Sequence, residues 1–230
     1  MAYLLQKGLR IGGAFWYTMD LWNKKAGPPV YDLACPAAES RGQRGDAMKN
    51  DRILVVVDMQ KDFIDGALGT AEAVAIVPAA AAKIREARRA GAAVLATLDT
   101  HGEDYLSTRE GRFLPVPHCV RGSAGWQLDP AIREALDGAP TLEKPSFGST
   151  ELPGLVRRLS GAEGTGAGLQ IELIGLCTDI CVVSNALILK AAFPEAELSV
   201  DAACCAGVTP ERHRAALETM RSCQIKVINE

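Results

Sequence analysis

The chain has 230 residues, of which 48% are hydrophobic and 23% are charged, and its formal net charge is -3. These values are ordinary for a soluble globular protein with one sizeable α/β domain or two small ones. The weak negative charge gives no reason to expect nucleic acid or an anionic membrane surface as a partner. No stretch approaches the roughly 18 continuous apolar residues of a membrane helix, so no membrane-spanning segment is predicted.

The seven cysteines are an odd number and are scattered along the chain, without a Cys-x-x-Cys pair. This pattern argues against a structural zinc knuckle or a thioredoxin-like motif. Free thiols in a reducing compartment are the simplest interpretation. Charges interrupt the first 25 residues and no clean small-residue cleavage site follows them, so the predicted localisation is cytoplasmic.

Residues 1–47 differ in composition from the rest of the chain. They contain two of the three tryptophans, Trp16 and Trp22, and a Gly-Pro-Pro run, and no helical or strand period persists in them. We predict that 1–47 form a poorly ordered N-terminal extension and that 48–230 form the folded domain.

From Ile53 onward, apolar runs alternate regularly with helical patterns. The first run, Ile53–Val57, is continuously apolar and rich in valine, as expected of a strand buried on both faces. Alternation of strands and helices implies right-handed βαβ units. The predicted fold is therefore a three-layer α/β/α domain with a mostly parallel six-stranded sheet. Further strands are predicted at 92–98, 141–143, 171–175, 197–200 and 224–228, and helices at 72–89, 129–136, 149–159, directly after 176, and at 210–222.

The fourth predicted strand ends abruptly and a helix begins, with Cys181 in its first turn. Thr178 or Asp179 is expected to cap that helix with a side-chain oxygen. Free N–H groups and the helix dipole favour negative charge there, so we expect the Cys181 thiol to be more acidic than in bulk water. The alternative is that Cys181 is a small buried apolar residue, as most cysteines are.

Ligands of open α/β sheets lie at the carboxyl ends of the strands, and three other strands end in polar residues. Asp58 follows the first strand, where burial would raise its pKa toward that of a general base; otherwise it caps a turn. Lys144 ends the third strand and is either a solvated surface residue or a partner for Asp58 beside a thiolate.

The second strand ends at Asp99 and His101, and His118 follows in the same long loop, 99–125. One carboxylate and two imidazoles are a reasonable ligand set for zinc, iron or manganese. Glu103, Asp104 and Glu110 can each add an oxygen ligand. The alternative is that the two histidines only form hydrogen bonds within the loop. The third histidine, His213, is predicted to be a solvated helix residue.

Together these residues resemble the isochorismatase-like cysteine hydrolases and, among them, the nicotinamidases. The resemblance covers essentially all of residues 50–228, and its motifs are specific in their order and spacing rather than singly. The matching segments are Val-Val-Asp-Met-Gln-Lys-Asp-Phe (56–63), Asp-Thr-His (99–101), Pro-His-Cys-Val-Arg-Gly-Ser-Ala-Gly (117–125), Lys144, and Gly-Leu-Cys-Thr-Asp-Ile-Cys-Val (175–182).

The resemblance implies an isochorismatase-like, Rossmann-like fold and a catalytic triad of Asp58, Lys144 and Cys181. It also implies a cis peptide bond between Leu176 and Cys177, and an oxyanion hole formed by the backbone N–H groups of Cys177 and Cys181. In such enzymes the thiol attacks an amide carbonyl and a thioester forms.

The resemblance further implies a divalent metal, zinc first and iron or manganese as options, bound by Asp99, His101 and His118. The remaining ligand in the family is either histidine or glutamate, and since no third histidine lies in this loop, the resemblance implies Glu110 for that place. Many nicotinamidases have an aromatic residue shortly before the second histidine, where this chain has Leu-Pro-Val-Pro (114–117).

Phe63 and Trp126 are the residues predicted to contact the substrate in place of that aromatic residue. The expected reaction is hydrolysis of nicotinamide or a similar small amide to the acid and ammonia, as in NAD metabolism. Relatives are commonly dimers or tetramers, so a homo-oligomer is expected.

Three other functions are weighed against this one. A metal-independent amidase of the same family would act on carbamoyl or ureido compounds, but those relatives generally lack the metal ligands. Cleavage of isochorismate does not use the cysteine. A non-enzymatic redox-sensing module would need only the reactive thiol of Cys181, and the presence of both Asp58 and Lys144 argues against it.

Overall fold

A parallel sheet of six strands lies at the centre of the computed structural model, which describes residues 50–230. In chain order the strands are β1 (Arg52–Val57), β2 (Ala93–Asp99), β3 (Thr141–Lys144), β4 (Gln170–Leu176), β5 (Glu197–Ala206) and β6 (Lys226–Ile228). Their spatial order is β3-β2-β1-β4-β5-β6, and every neighbouring pair is parallel. The predicted fold class is confirmed. The prediction for 1–47 lies outside the described residues.

Helices cover both faces of the sheet. They are α1 (Lys61–Ile64), α2 (Ala71–Arg89), α3 (Arg109–Phe113), α4 (Pro130–Leu136), α5 (Leu152–Ser160), α6 (Val183–Ala192) and α7 (Pro210–Ser222). The apolar residues of α1, α2 and α4 pack on one face, and those of α5, α6 and α7 pack on the other. None of the helices within 50–230 is both long and apolar enough to cross a membrane.

The packing of β1 explains why its sequence is continuously apolar. Ile53, Val55 and Val57 pack toward α5, α6 and α7, whereas Leu54 and Val56 pack toward α1, α2 and α4. Side chains alternate between the faces of a strand, so a central strand between two helical layers needs apolar residues at both parities.

The last two strands differ in length from the prediction. β5 extends to Ala206, past the predicted end at residue 200. Asp201 is buried, and its carboxylate lies 2.9 Å from the ammonium of Lys83, so the sheet retains it as a paired charge. β6 begins later than predicted, because Gln224 has a left-handed φ of 64° and belongs to the turn after α7.

The long segment 99–125 is not entirely irregular, contrary to the prediction. It contains a 3-10 turn, Tyr105–Ser107, and the five-residue helix α3. The Thr108 side chain accepts a hydrogen bond from the Gly111 N–H and caps α3. Both elements are too short to produce a detectable apolar period. The short helix α1, directly after β1, was missed for the same reason.

The register of the central strands brings their polar ends to one edge. Val57 of β1 pairs with Thr97 of β2 and with Gly175 of β4. A Cβ atom at residue 175 would lie 2.1 Å from the Val57 carbonyl oxygen, and φ there is +121°, so only glycine permits this approach. In β2 and β3, Asp99 pairs directly with Lys144.

Candidate active site and metal centre

The ammonium group of Lys144 lies between the other two members of the predicted triad. Its Nζ is 2.7 Å from Asp58 Oδ2 and 3.6 Å from Cys181 Sγ. Asp58, Lys144 and Cys181 are 0%, 1% and 5% exposed. Three residues from three separate strand ends are therefore brought into one buried cluster.

Asp58 is held in an unusual backbone conformation by its neighbour Thr97. Its φ of 47° is left-handed, which costs a non-glycine residue on the order of 1 kcal/mol. The Thr97 hydroxyl donates to Asp58 Oδ1 at 2.7 Å, and the Asp58 N–H donates to the Thr97 carbonyl at 3.2 Å. Oδ2 is thereby left for Lys144. Thr97 was not predicted as a site residue, because in the sequence it is an ordinary residue inside a strand.

Burial dominates the electrostatics of the triad. Burial raises the pKa of Asp58, the Lys144 ammonium opposes that rise, and the negative charge of Asp99 adds to it. Burial alone would lower the pKa of Lys144, but Asp58, Cys181 and Asp99 raise it above its usual value. Lys144 therefore stays protonated, and Asp58 has the stronger basicity expected of a proton acceptor.

The predicted acidity of Cys181 is wrong in direction. Burial raises the pKa of its thiol well above the usual value, and the negative charge of Asp58 raises it further against the effect of Lys144. Cys181 also lies in a π-helical turn, Thr178–Val182, ahead of α6. Loss of hydration at a fully buried sulfur outweighs the helix dipole, so the resting group is a thiol beside a base.

The predicted cap of this turn is also absent, since no side chain caps the π-helical turn. Thr178 Oγ1 instead lies 2.8 Å from His213 Nδ1, and Asp179 Oδ1 accepts the Val208 N–H at 2.9 Å. His213 is therefore not a solvated helix residue: it is half-buried, and burial lowers its pKa. No local sequence pattern signals this contact, because α7 follows the turn by some thirty residues.

The turn that carries the nucleophile winds around the carbonyl of Cys177. That oxygen accepts hydrogen bonds from the Ile180 and Val182 N–H groups, both at 3.1 Å. The Leu176–Cys177 peptide bond is cis, as the family resemblance implies. The two predicted oxyanion donors, the N–H groups of Cys177 and Cys181, belong to this same turn. All six cysteines within 50–230 are free thiols.

A second cluster lies beside the triad at the ends of β2 and the loop after it. Asp99 Oδ2 is 3.0 Å from His101 Nε2 and 3.5 Å from His118 Nε2, and these three ligand atoms lie within 4.8 Å of one another. Glu110 Oε1 is 3.7 Å from Nε2 of both histidines. Carboxylate and imidazole donors in this number suit a divalent metal ion.

The tautomer of His118 supports a cation at this place. Its Nδ1 lies 2.9 Å from the Val116 carbonyl, which can only accept, so Nδ1 carries the proton. In the neutral ring the Nε2 lone pair then points toward the Asp99 carboxylate. A positive charge between these two groups is therefore favourable, and it is supplied either by a proton on Nε2, which the raised pKa of His118 beside Asp99 favours, or by a bound divalent ion.

Asp99 belongs to both clusters. Its Oδ2 faces the histidines, whereas its Oδ1 lies 3.3 Å from Lys144 Nζ. Burial alone would raise the pKa of Asp99, but hydrogen bonds from His101 and His118 and the charge of Lys144 lower it below its usual range. The carboxylate is therefore ionised and available as a ligand.

Two further side chains, which were not among the predicted site residues, hold the backbone beside the ligand residues in place. The Gln60 amide donates to the Asp99 carbonyl at 2.8 Å and accepts the Asp99 N–H at 2.7 Å. Asp62 Oδ2 accepts the Cys119 N–H at 2.8 Å, next to His118. Both residues belong to the family motif at 56–63, and membership of that motif is the sequence feature from which their role could have been predicted.

The two predicted substrate residues flank the second cluster. The ring of Phe63 lies 5.5 Å from that of His118. The Trp126 indole N–H donates to Thr100 Oγ1 at 2.8 Å, between Asp99 and His101. Both are placed near the site, and their contact with substrate stays a prediction.

A family model for the isochorismatase domain matches residues 52–230. The chain belongs to the isochorismatase family. A nicotinamidase/pyrazinamidase of Mycobacterium tuberculosis is 26% identical over 191 residues, which cover 77% of this chain and 98% of that protein.

Two solved structures extend the comparison. A pyrazinamidase of Pyrococcus horikoshii in complex with zinc is 29% identical, with a TM-score of 0.63 over 78% of this chain and 99% of the other. An N-carbamoylsarcosine amidase of Thermoplasma acidophilum is 28% identical, with a TM-score of 0.61 over 76% and 94% of the two chains. The prediction of a hydrolase acting on amide C–N bonds is thereby confirmed.

Proposed function

We propose that the chain is a cysteine-dependent amidohydrolase that converts nicotinamide or a similar small amide into the acid and ammonia. The observation that carries this proposal is the position of Lys144 Nζ, 2.7 Å from Asp58 and 3.6 Å from Cys181. The adjacent cluster of Asp99, His101 and His118 adds the metal ligands expected of a nicotinamidase.

The reaction begins with transfer of the thiol proton of Cys181 to Asp58. The raised pKa of Asp58 makes it a stronger base than an exposed carboxylate, and the Lys144 ammonium balances the new thiolate charge. The sulfur then attacks the amide carbonyl carbon. The N–H groups of Cys177 and Cys181 stabilise the oxyanion, each contributing on the order of 3 kcal/mol.

The tetrahedral intermediate collapses when the C–N bond breaks and Asp58 returns its proton to the departing nitrogen, which leaves as ammonia. A water molecule then attacks the thioester, with Asp58 accepting its proton. The C–S bond breaks, the acid is released, and Asp58 passes the proton taken from water to the sulfur, which restores the Cys181 thiol. Asp58 thus acts as base and then acid in each of the two half-reactions, for which a pKa shifted upward is suited.

Asp99, His101 and His118, with Glu110 as the fourth residue, would hold a divalent ion, of which zinc fits the donor set best. When bound, the ion supplies a Lewis acid that orients a ring nitrogen of the substrate. Because Asp99 also contacts Lys144, the ligand cluster has a fixed position relative to the nucleophile.

The second candidate is a metal-independent amidase for carbamoyl or ureido compounds, which the likeness to the N-carbamoylsarcosine amidase favours. The buried ligand cluster favours the nicotinamidase-like reaction instead. A redox-sensing thiol is disfavoured, because sensor cysteines are accessible and acidic, whereas Cys181 is 5% exposed with a raised pKa.

The test is ammonia release from nicotinamide, pyrazinamide and a panel of ureido amides, with metal content measured on the same preparation. We expect turnover of the pyridine or pyrazine amide and about one divalent ion per chain. Cys181→Ala serves as the inactive control. Turnover of ureido amides alone by a metal-free protein would favour the second candidate, and full activity in Cys181→Ala would exclude both.

A further inference from the structure

The side chain of Asn185, on α6, joins the nucleophile turn to the loop after β3. Asn185 Nδ2 donates to the Cys181 carbonyl at 2.8 Å and to the Phe147 carbonyl at 3.3 Å. Asn185 Oδ1 accepts the Ser149 N–H at 3.0 Å. Both amide protons and the amide oxygen are therefore used, and the residue is 0% exposed.

The loop that Asn185 binds is the one that follows Lys144. Lys144 Nζ donates back to the Ser146 carbonyl at 3.0 Å, so the loop also shapes the surroundings of the ammonium. Gly148 packs directly on α6: a Cβ atom there would lie 2.6 Å from Ile188 Cδ1 and 3.2 Å from Ser184 Cβ. The loop is thus held against α6 at the level of Asn185.

We propose that Asn185 is a positioning residue that sets the approach of Cys181 Sγ to Lys144 Nζ by tying the nucleophile turn to the loop at 145–149. The inference rests on the roles proposed above for Cys181 and Lys144. The sulfur and the ammonium belong to different strand ends, and sheet register fixes only Lys144. Asn185 is the side chain that links the backbone of Cys181 itself to the backbone beyond Lys144.

Ser184 provides a control that distinguishes positioning of the loop from an ordinary side-chain bond to the backbone of the turn. Ser184 Oγ donates to the Ile180 carbonyl at 2.6 Å, which is the same bond to a residue four positions earlier that Asn185 makes to Cys181. Ser184 makes no bond to the loop at 145–149. Ser184→Ala therefore removes a side-chain bond to the turn without freeing the loop.

The experiment compares Asn185→Ser and Asn185→Thr with Ser184→Ala and with Ile84→Val. Ile84→Val lowers stability in the core on the opposite face of the sheet from α6. A hydroxyl at 185 can still bond the Cys181 carbonyl but cannot reach both loop groups. Two substitutions are used so that one variant remains if the other folds poorly. Folding is checked by thermal unfolding, and all kinetics are measured below the melting range.

The first readout is the pH dependence of Cys181 alkylation by iodoacetamide, and the second is kcat and KM on the amide substrate. We expect both Asn185 variants to shift the alkylation midpoint to higher pH, because the ammonium stabilises the thiolate less. We also expect kcat to fall on the order of tenfold with KM nearly unchanged. Ser184→Ala and Ile84→Val should keep the parent midpoint.

An unshifted midpoint in the folded Asn185 variants, or an equal shift in Ile84→Val, would overturn the positioning role. Alkylation needs no knowledge of the substrate. If the parent protein hydrolyses no amide of the panel, the proposed function is wrong. The pH midpoint of Cys181 alkylation still tests the role of Asn185 in that case.

Discussion

The triad and the metal-ligand cluster lie side by side but are built in different ways. Asp58, Lys144 and Cys181 lie at or just after the ends of three different strands, and each is almost fully buried. The ligand cluster takes Asp99 from a strand end, whereas His118 and Glu110 come from the long segment after it. That segment is held by the Asp62 carboxylate, which accepts the Cys119 N–H, and by a backbone bridge between His101 and Val120, rather than by the register of the main strands.

The two clusters also differ in charge. In the triad, Lys144 lies within 2.7 Å of Asp58 and 3.3 Å of Asp99, so the protein supplies its own cation. In the ligand cluster, two carboxylates and two imidazoles face one another, and a bound divalent ion would balance their charge. We propose that folding alone sets the triad, whereas the second cluster needs metal as well.

The largest effect is expected from Cys181→Ala, which removes the nucleophile. Activity should fall by roughly 10⁴-fold or more, because loss of one member of a catalytic triad removes most of its effect. Cys177→Ala, four residues earlier, should keep most activity, since only its backbone N–H is assigned a role. Ammonia release and metal content are measured for both, and Cys181→Ala should retain its metal. Loss of metal in Cys181→Ala would show that the two clusters are not separable.

Lys144→Met is expected to damage both activity and stability. The substitution leaves the buried carboxylates of Asp58 and Asp99 without their cation. Breaking a buried ion pair on one side costs about 3–5 kcal/mol, which urea unfolding measures. Replacing Lys61, whose ion pair with Asp65 is exposed, should cost less than about 1 kcal/mol. Equal stability of the two variants would contradict the internal charge balance of the triad.

His118→Ala should affect the second cluster and leave the nucleophile reactive. We expect metal affinity to fall by at least about 100-fold, because one of two imidazole ligands is lost. Metal content is measured by mass spectrometry after dialysis, and Cys181 alkylation is measured on the same sample. An unchanged metal content would show that His118 is not a ligand. A large loss of alkylation would show that the triad needs the ion.

The smallest predicted effect is a shift in pH dependence in Thr97→Val. The Thr97 hydroxyl stabilises ionised Asp58, so its loss should raise the pKa of that carboxyl further. Asp58 acts in its deprotonated form, and the acid limb of kcat/KM should therefore move to higher pH. Thr219→Val is the control, because it makes the same chemical change at an exposed position of α7. It should leave the acid limb of the kcat/KM profile unchanged. A shift to lower pH would contradict the assignment of Asp58 as base.

Features that depend on one residue at a strand end could be predicted from the sequence. β1 is apolar at both parities, so its central position and the placement of Asp58 at the rim could be predicted from local pattern. Sheet register also brings Asp99 against Lys144, which the order of strands and helices along the chain does not predict.

The remaining features depend on contacts between distant segments. Thr97, His213 and Asn185 each bond a site residue or the nucleophile turn, yet each looks ordinary in its own helix or strand. The acidity of Cys181 was mispredicted because helix position is visible in a sequence, whereas full burial beside a carboxylate is not.

The central claim is that the amide is cleaved through a thioester on Cys181. Its most direct test is acid quench of the enzyme within a single turnover, followed by mass spectrometry of the peptide that contains residues 177 and 181. We predict an increase equal to the acyl group of the substrate, located on Cys181 and absent from Cys181→Ala. Turnover with no adduct at any quench time, together with an active Cys181→Ala, would contradict the mechanism.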